Sequence, residues 1–361
     1  MTFHASVQEN SRQRRERAAA RIKEAGAQAL LVSDLKNVEY LSGFNGSNAA
    51  LLLKADATSV IATDGRYITQ IAAQTGEPSD MQIHIANNIY QAMKEVAGET
   101  DFCVEPTLSV GIAKYLGDPD ILEGVVEGER LVKDDTEIAK LVAAGELADN
   151  VWQEFIAQGG IAEGLTEIDA AADLENRLRR AGADGLSFPT ILASGSNGSK
   201  PHAGVSRERI VPGLVTVDFG IYLDGYASDQ TRTVCVGDPS TRDYQLYDIV
   251  YRAQKAGEAM LRPGAGLRAI DNACRTIIED AGYGEFFVHS TGHGVGMDVH
   301  EAPRAAATVD ETETLVKGMT LTVEPGIYLP GETGLRIENT YVITEDSAQS
   351  LNASSTELIV V

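Results

Sequence analysis

Two octapeptides in the C-terminal half of the chain are nearly identical: Thr-Val-Asp-Phe-Gly-Ile-Tyr-Leu at 216–223 and Thr-Val-Glu-Pro-Gly-Ile-Tyr-Leu at 322–329. Only the third and fourth positions differ, and the third exchanges one carboxylate, Asp218, for another, Glu324. Each copy runs into a turn, Asp224-Gly225 or Pro330-Gly331, and then into a return segment carrying a further carboxylate, Asp229 or Glu338. A lone acid in a short hairpin is ordinarily a solvated side chain. Matched acids flanked by apolar and β-branched residues are different, because an ionised carboxylate buried there without a partner is costly. If each hairpin folds back, its two carboxylates face each other across the strand pair. Two hairpins about a pseudo-two-fold then gather four, whose repulsion raises their pKa values unless cations neutralise them; metal ions are the simplest source.

The histidines point the same way. His293 lies in Thr291-Gly292-His293-Gly294-Val295-Gly296, where flanking glycines let the backbone approach a ligand and leave the imidazole open. The spacing is not that of a dinucleotide loop, so His293 reads as the nitrogen ligand of the carboxylate cage. His202 ends a small polar stretch that lacks the pattern of a phosphate-binding loop or a serine nucleophile elbow. His300 sits in Asp298-Val299-His300-Glu301-Ala302-Pro303, and His289 precedes His293 by four residues. Singly each reads as a structural or surface histidine; crowding near the cage favours a catalytic role.

Such a cage must be held by rigid elements. A length of 361 residues suits two domains of ~100–200 residues each. In the first, a polar helix stops at Gly26, followed by a strand at 29–32 and a hairpin of strands 49–54 and 59–63. Helix 67–74, strand 81–85, helix 89–97 and strand 102–105 complete an α/β pattern that ends near Glu127. From Asp134 the texture changes. Asp134 and Asp135 can cap a helix running through Leu141 and Phe155, and a second helix starts at Thr166, with Asp169 as capping partner, and runs to about Ala181. Helices at 244–261 and 267–281 follow, with Gly-rich hairpins between and after. The expected division is 1–129 and 130–361, in a chain of α/β (strictly α+β) class.

Composition narrows the function. The 53 acidic against 30 basic residues leave a net charge of -23, which repels phosphate backbones and argues against nucleic acid as a partner. Cys103, Cys235 and Cys274 are far apart with no CxxC pair, as suits a reducing compartment. Residues 1–26 lack the apolar core of a signal peptide, and no apolar run reaches the ~18 residues that span a bilayer. The expectation is a cytoplasmic protein without a membrane partner.

Taken together, these residues resemble the pita-bread metallopeptidases, the family of prolidase (Xaa-Pro dipeptidase), aminopeptidase P, methionine aminopeptidase and the metal-free creatinases. Asp218 in VDFG, Asp229 in SDQTRT, His293 in TGHGVG, Glu324 in VEPG and Glu338 in RIEN follow the family's order. His202 after KP and His300 in HEAP resemble the branch that acts on Xaa-Pro bonds. YLSGFNGS (Tyr40 to Ser47) and TDGRY (Thr63 to Tyr67) resemble the creatinase-type N-terminal domain, which methionine aminopeptidases lack.

The resemblance implies that domain followed by a pita-bread catalytic domain with an internal pseudo-two-fold repeat. It also implies two divalent ions, Mn²⁺ or Co²⁺ before Zn²⁺ or Fe²⁺, all of which suit carboxylate and imidazole donors. Asp218 would hold one ion, His293 and Glu324 the other, and Asp229 and Glu338 both. The implied reaction is hydrolysis of the Xaa-Pro bond by a hydroxide bridging the ions, with Glu324 shuttling the proton. His202 and His300 would serve the carbonyl or oxyanion, and His289 would line the proline pocket. Arg336 would neutralise the cage, bind a substrate carboxylate or form a structural ion pair. Small proline-containing peptides are the expected partners, dipeptides slightly before longer Xaa-Pro-Yaa substrates, and family analogy suggests a homodimer. An inactive binding module of the same fold should show broken ligands, and all five are intact.

Overall fold

The computed structural model describes residues 3–76 and 79–361. The chain divides into two compact units, Met1–Arg130 and Leu131–Val361. Among the described residues no helix is long and apolar enough to cross a membrane.

The first unit opens with α1 (Phe3–Glu24) and β1 (Ala29–Val32), then α2 (Leu35–Ser42), β2 (Ala49–Lys54) and β3 (Ser59–Thr63). After these come α3 (Ile68–Thr75), β4 (Gln82–Ile85), α4 (Ile89–Ala97), β5 (Cys103–Val104), α5 (Val110–Leu116) and α6 (Val125–Arg130). The strands form one mixed sheet in the order β4-β3-β2-β1-β5. Ala50, Leu52 and Ala62 of this sheet pack on Ile89 and Met93 of α4. Three short helices, α2, α5 and α6, lie outside the expected elements. The first was legible from its cap: Asp34 accepts from the backbone N–H groups of Lys36 and Asn37, and Gly43 ends it in the left-handed region.

The second unit repeats one plan twice. In the first half α7 (Asp135–Ala157) and α8 (Glu167–Ala181) precede β6 (Gly185–Leu186), β7 (Ile191–Ser194), β8 (Gly213–Phe219), β9 (Ile221–Leu223), β10 (Tyr226–Ala227) and β11 (Gln230–Val236). In the second half α9 (Thr241–Met260) and α10 (Leu267–Asp280) precede β12 (Gly292–Gly294), β13 (Glu301–Ala305), β14 (Thr320–Val323) and β15 (Gly326–Leu329). The chain closes with β16 (Thr333–Arg336), β17 (Asn339–Ile343), β18 (Ala348–Ser350) and β19 (Ile359–Val360).

Helix α7 starts where the acids placed it. Asp134 accepts from the N–H groups of Thr136 and Glu137 while the Glu137 carboxylate reaches back, a complete capping box. Thr166 caps α8 through the Asp169 N–H. Helix α9 begins three residues earlier than the apolar spacing suggested, because Ser240 and Asp243 form a further capping box. The apolar faces of α7 and α8 pack on Val215, Val217 and Val234 of β8 and β11, with Trp152 stacked on Phe219 at 5.3 Å between ring centroids. The faces of α9 and α10 pack likewise on Leu321, Val323 and Tyr341 of β14 and β17. Each helix pair thus backs one hairpin, and the hairpins' other faces are left for chemistry.

Candidate metal centre

The two hairpins are not equivalent. In the second, Val323 pairs with Asn339 and Gly326 with Arg336. Glu324 and Glu338 lie between these pairs, directly opposed, and the Ile337 N–H donates to Pro325 O at 3.4 Å. The expected facing of carboxylates therefore occurs here. In the first hairpin Asp218 pairs with Thr231 and Phe219 with Gln230. Continuing that register sets Asp229 across from Gly220, on the same face as Asp218 but one diagonal step away. The expectation that both carboxylate pairs face each other fails at this hairpin, because Thr231 occupies the place that Glu338 takes in the other. Asp229 correspondingly occupies the place of Arg336.

The register explains several contacts. Thr231 Oγ1 donates to Glu338 Oε2 at 2.7 Å, linking the two return strands. Arg336 reaches across the pseudo-two-fold and donates through Nη2 to Asp218 Oδ2 at 2.5 Å. Its other donors go to Thr231 Oγ1, Tyr328 Oη and Pro201 O, at 3.0, 2.6 and 3.3 Å.

His293 reaches the cage because Gly292 has no side chain. A Cβ there would lie 1.8 Å from Thr322 O, so only glycine lets β12 lie directly against β14. The His293 N–H donates to Thr322 Oγ1 at 3.0 Å. Its Nδ1 is 3.0 Å from Gly294 O, so the proton sits on that nitrogen and Nε2 faces the carboxylates. Nε2 lies 3.3 Å from Glu324 Oε1 and 3.6 Å from Asp229 Oδ2. The rings of His293 and His300 are 4.4 Å apart. Ligand atoms converge in three overlapping sets, Asp229-His293-His300, His293-Glu324-Glu338 and Asp218-Asp229-Glu338, each within 4.8 Å.

Electrostatics without an ion is strained. Burial and then Glu338 push the Asp229 carboxyl well above its ordinary range. Burial, Glu324 and Asp218 push Glu338 up to about 8. Burial would raise Glu324 as well, but the His293 imidazole beside it prevails and holds it at about 2. Burial would lower His293, which Glu324 instead raises to about 9. Asp218 is raised by burial against the pull of Arg336, and its Oδ1 is buried with no hydrogen-bond partner among the described residues. An orphaned carboxylate oxygen beside two carboxyls forced towards neutrality suits a divalent cation. The donor set fits that group.

All nine expected site residues, His202, Asp218, Asp229, His289, His293, His300, Glu324, Arg336 and Glu338, line one cavity of about 1040 Å³. The cage residues are largely buried, whereas His202 and His300 are exposed at its rim. Burial and the neighbouring His293 lower the pKa of His300. His289 stands in the wall, with Nε2 2.9 Å from Tyr328 Oη. The sequence reading missed Tyr328, which joins His289 to Arg336, and Thr231, which ties Arg336 to Glu338. Tyr328 had a signal in the repeat, whose first copy carries Tyr222 at the same position. Phe188, Pro189 and Ile191 add an apolar wall that periodicity could not assign to a site.

A helix-backed pair of hairpins presenting four carboxylates and an imidazole to one cavity defines a metallohydrolase scaffold. The chain belongs to Metallopeptidase family M24, matched over residues 139–345, and residues 14–119 match the Creatinase/Prolidase N-terminal domain. Its fold is accordingly the creatinase-type domain followed by the pita-bread domain. It is 34% identical to the Xaa-Pro dipeptidase of Pyrococcus horikoshii over 92% of this chain and 94% of that one. The solved structure of the Xaa-Pro dipeptidase from Bacillus anthracis superimposes with a TM-score of 0.91, at 34% identity, over 98% of this chain and 100% of that one. The X-Pro aminopeptidase from Thermotoga maritima does so with a TM-score of 0.84, at 31% identity, over 94% and 100%. The protein is thus a metallopeptidase-family hydrolase, and the family implies divalent metal ions.

Proposed function

We propose that the protein hydrolyses Xaa-Pro bonds in small peptides, with dipeptides preferred. The observation that carries this reading is the five-residue cage, with its orphaned Asp218 oxygen, at the base of a cavity shared with His202, His289 and His300. The likeness to Xaa-Pro dipeptidases over nearly the whole chain supports the substrate class. Asp218 would hold one ion, His293 and Glu324 a second, and Asp229 and Glu338 both. In support, Glu338 converges both with Asp218 and with the His293-Glu324 pair, and Asp229 converges both with Asp218 and with His293. Bound there, divalent ions, Mn²⁺ or Co²⁺ before Zn²⁺ or Fe²⁺, supply Lewis acidity that lowers the pKa of water and polarises a carbonyl.

The chain's own groups do the rest. As in any amide hydrolysis, the nitrogen leaves as an amine only when a proton is delivered to it, and a prolyl nitrogen has no N–H by which the bond could otherwise be held. The Glu324 carboxylate takes that proton from the attacking water and passes it to the nitrogen. His300 stays neutral near pH 7 and donates one N–H to the carbonyl oxygen as charge develops, with His202 beside it at the rim. His289 lines the proline pocket, fixed by Tyr328. Arg336 acts through Asp218, since its guanidinium is spent on internal acceptors. A cytoplasmic setting accords with three free cysteines, and a homodimer completes the reading.

A second reading, an aminopeptidase acting on longer Xaa-Pro-Yaa peptides, is favoured by one observation. A cavity of about 1040 Å³ lies just above the ~300–1,000 Å³ typical of small-molecule sites. Product analysis separates the two, using Gly-Pro, Ala-Pro and a longer Xaa-Pro-Yaa peptide with Mn²⁺ or Co²⁺. Faster turnover of the dipeptides is expected, and the reverse order selects the aminopeptidase. Absence of cleavage, together with no bound metal by elemental analysis, overturns both.

A further inference from the structure

Behind the cavity wall, α10 carries an acid that the chemistry above does not use. Asp271 is fully buried and forms an ion pair with Arg275 one turn later, Nε to Oδ2 at 3.0 Å. Its Oδ1 accepts from both the N–H and the hydroxyl of Thr291, at 3.1 and 2.9 Å. Thr291 O in turn accepts the Glu324 N–H at 2.8 Å. Arg275 reaches the other end of the same segment. Its Nη1 donates to Phe287 O and its Nη2 to His289 O, both at 3.0 Å. The guanidinium carbon also lies 4.3 Å from the centroid of the Phe287 ring, which meets the His289 ring edge-on at 5.1 Å.

The consequence is geometric. Residues 287–291 lead into β12, and only the last of them bonds a neighbouring strand, the Thr291 N–H reaching Ala305 O at 3.0 Å. The carbonyls at 287 and 289 and the N–H at 291 are all bound from behind by one ion pair on a rigid helix. His289 is therefore presented to the cavity from a backbone fixed by Arg275, and its Nε2 meets Tyr328 Oη from the front. Arginine is needed because a planar fork serves two carbonyls and a carboxylate at once, which a lysine ammonium cannot do in the same geometry.

We propose that Asp271 and Arg275 are positioning residues that set His289 in the proline pocket. The inference rests on the Xaa-Pro reading for the word proline, but not for the geometry. Two readouts keep the two apart. In the metal-free protein, the imidazole resonance of His289, identified by its loss in His289→Ala, should shift in Arg275→Lys, whether or not any peptide is cleaved.

In the metal-loaded protein, Arg275→Lys should lower kcat/KM for Ala-Pro about 10–100-fold, since a shift of ~1 Å in a substrate-positioning group can cost ~100-fold, with metal stoichiometry unchanged. The same substitution in a His289→Ala background should cost less than about threefold, because groups acting through one another are non-additive. Equal losses in both backgrounds, or an unmoved His289 resonance, overturn the proposal. If Arg275→Lys does not fold, the isosteric Asp271→Asn carries the same two measurements. Failure of both to melt cooperatively overturns it in favour of a purely structural ion pair. Wild-type protein that neither binds metal nor cleaves Ala-Pro refutes the Xaa-Pro reading alone, and the resonance test still decides the positioning role.

Discussion

Stripped of its ions, this protein should become less stable as pH rises from 5 to 8, opposite to the usual behaviour of a carboxylate-rich protein. Glu338 is pushed from an ordinary 4.5 up to about 8. Between those values the unfolded chain has released the proton and the folded one retains it, so folding takes up a proton and stability falls as pH rises. At about 1.4 kcal/mol per pH unit, the interval for Glu338 corresponds to on the order of 4–5 kcal/mol. Asp229 is raised by the same causes and acts in the same direction. His293, lifted from 6.5 to about 9, stabilises the fold fully below 6.5 and loses that contribution as pH climbs towards 9. Glu324, lowered to about 2, contributes a constant amount over this window, because its stabilisation is lost only as pH falls below its ordinary value.

The assay is urea denaturation of chelator-dialysed protein at pH 5, 6, 7 and 8, beside the same protein reloaded with Mn²⁺. The stripped protein should lose several kcal/mol across the series, and the reloaded protein should lose little. Glu338→Gln removes the largest numbered contribution without changing shape, so its stripped form should show a visibly flatter slope. A stripped protein whose stability is flat or rises with pH refutes the reasoning. So does a Glu338→Gln slope equal to wild type, which would trace the effect to general charge repulsion instead.

Two further perturbations test the scaffold. Gly292→Ala would put a methyl 1.8 Å from Thr322 O and pry β12 from β14. It should cost at least the ~1–3 kcal/mol of an overpacked site and weaken metal binding by separating His293 from Glu324, both measurable by melting and metal titration. The Lys133 side chain is 1% exposed and pairs with Glu301 at 2.6 Å beside His300. Lys133→Met should destabilise by ~3–5 kcal/mol because it removes the cation paired with a largely buried carboxylate, and Lys133→Met combined with Glu301→Gln should recover much of that loss in urea titrations.

The sequence by itself determined the starts of α7 and α8 and brought five residues forward as the candidate cage. Asp134 with Glu137, and Thr166 with Asp169, set helix starts through bonds two or three residues long, and such bonds are written in local spacing. The octapeptide repeat likewise announced that one plan is used twice, which placed Asp218 and Glu324 at matching positions. Short helices such as α5 escaped because a turn or two of apolar spacing does not separate helix from loop.

Tertiary structure alone decided how the acids meet. The pairing makes Thr231 the residue that faces Asp218 and Glu338 the residue that faces Glu324, and Asp229, two positions short of Thr231, falls diagonal to Asp218. A one- or two-residue offset is invisible in composition, yet it moves a charge across the site. The contacts of Arg336 with Asp218 and of Arg275 with the carbonyls behind His289 join residues far apart in the chain or on different elements. Their energies depend on the approach of packed backbones, which no local pattern encodes.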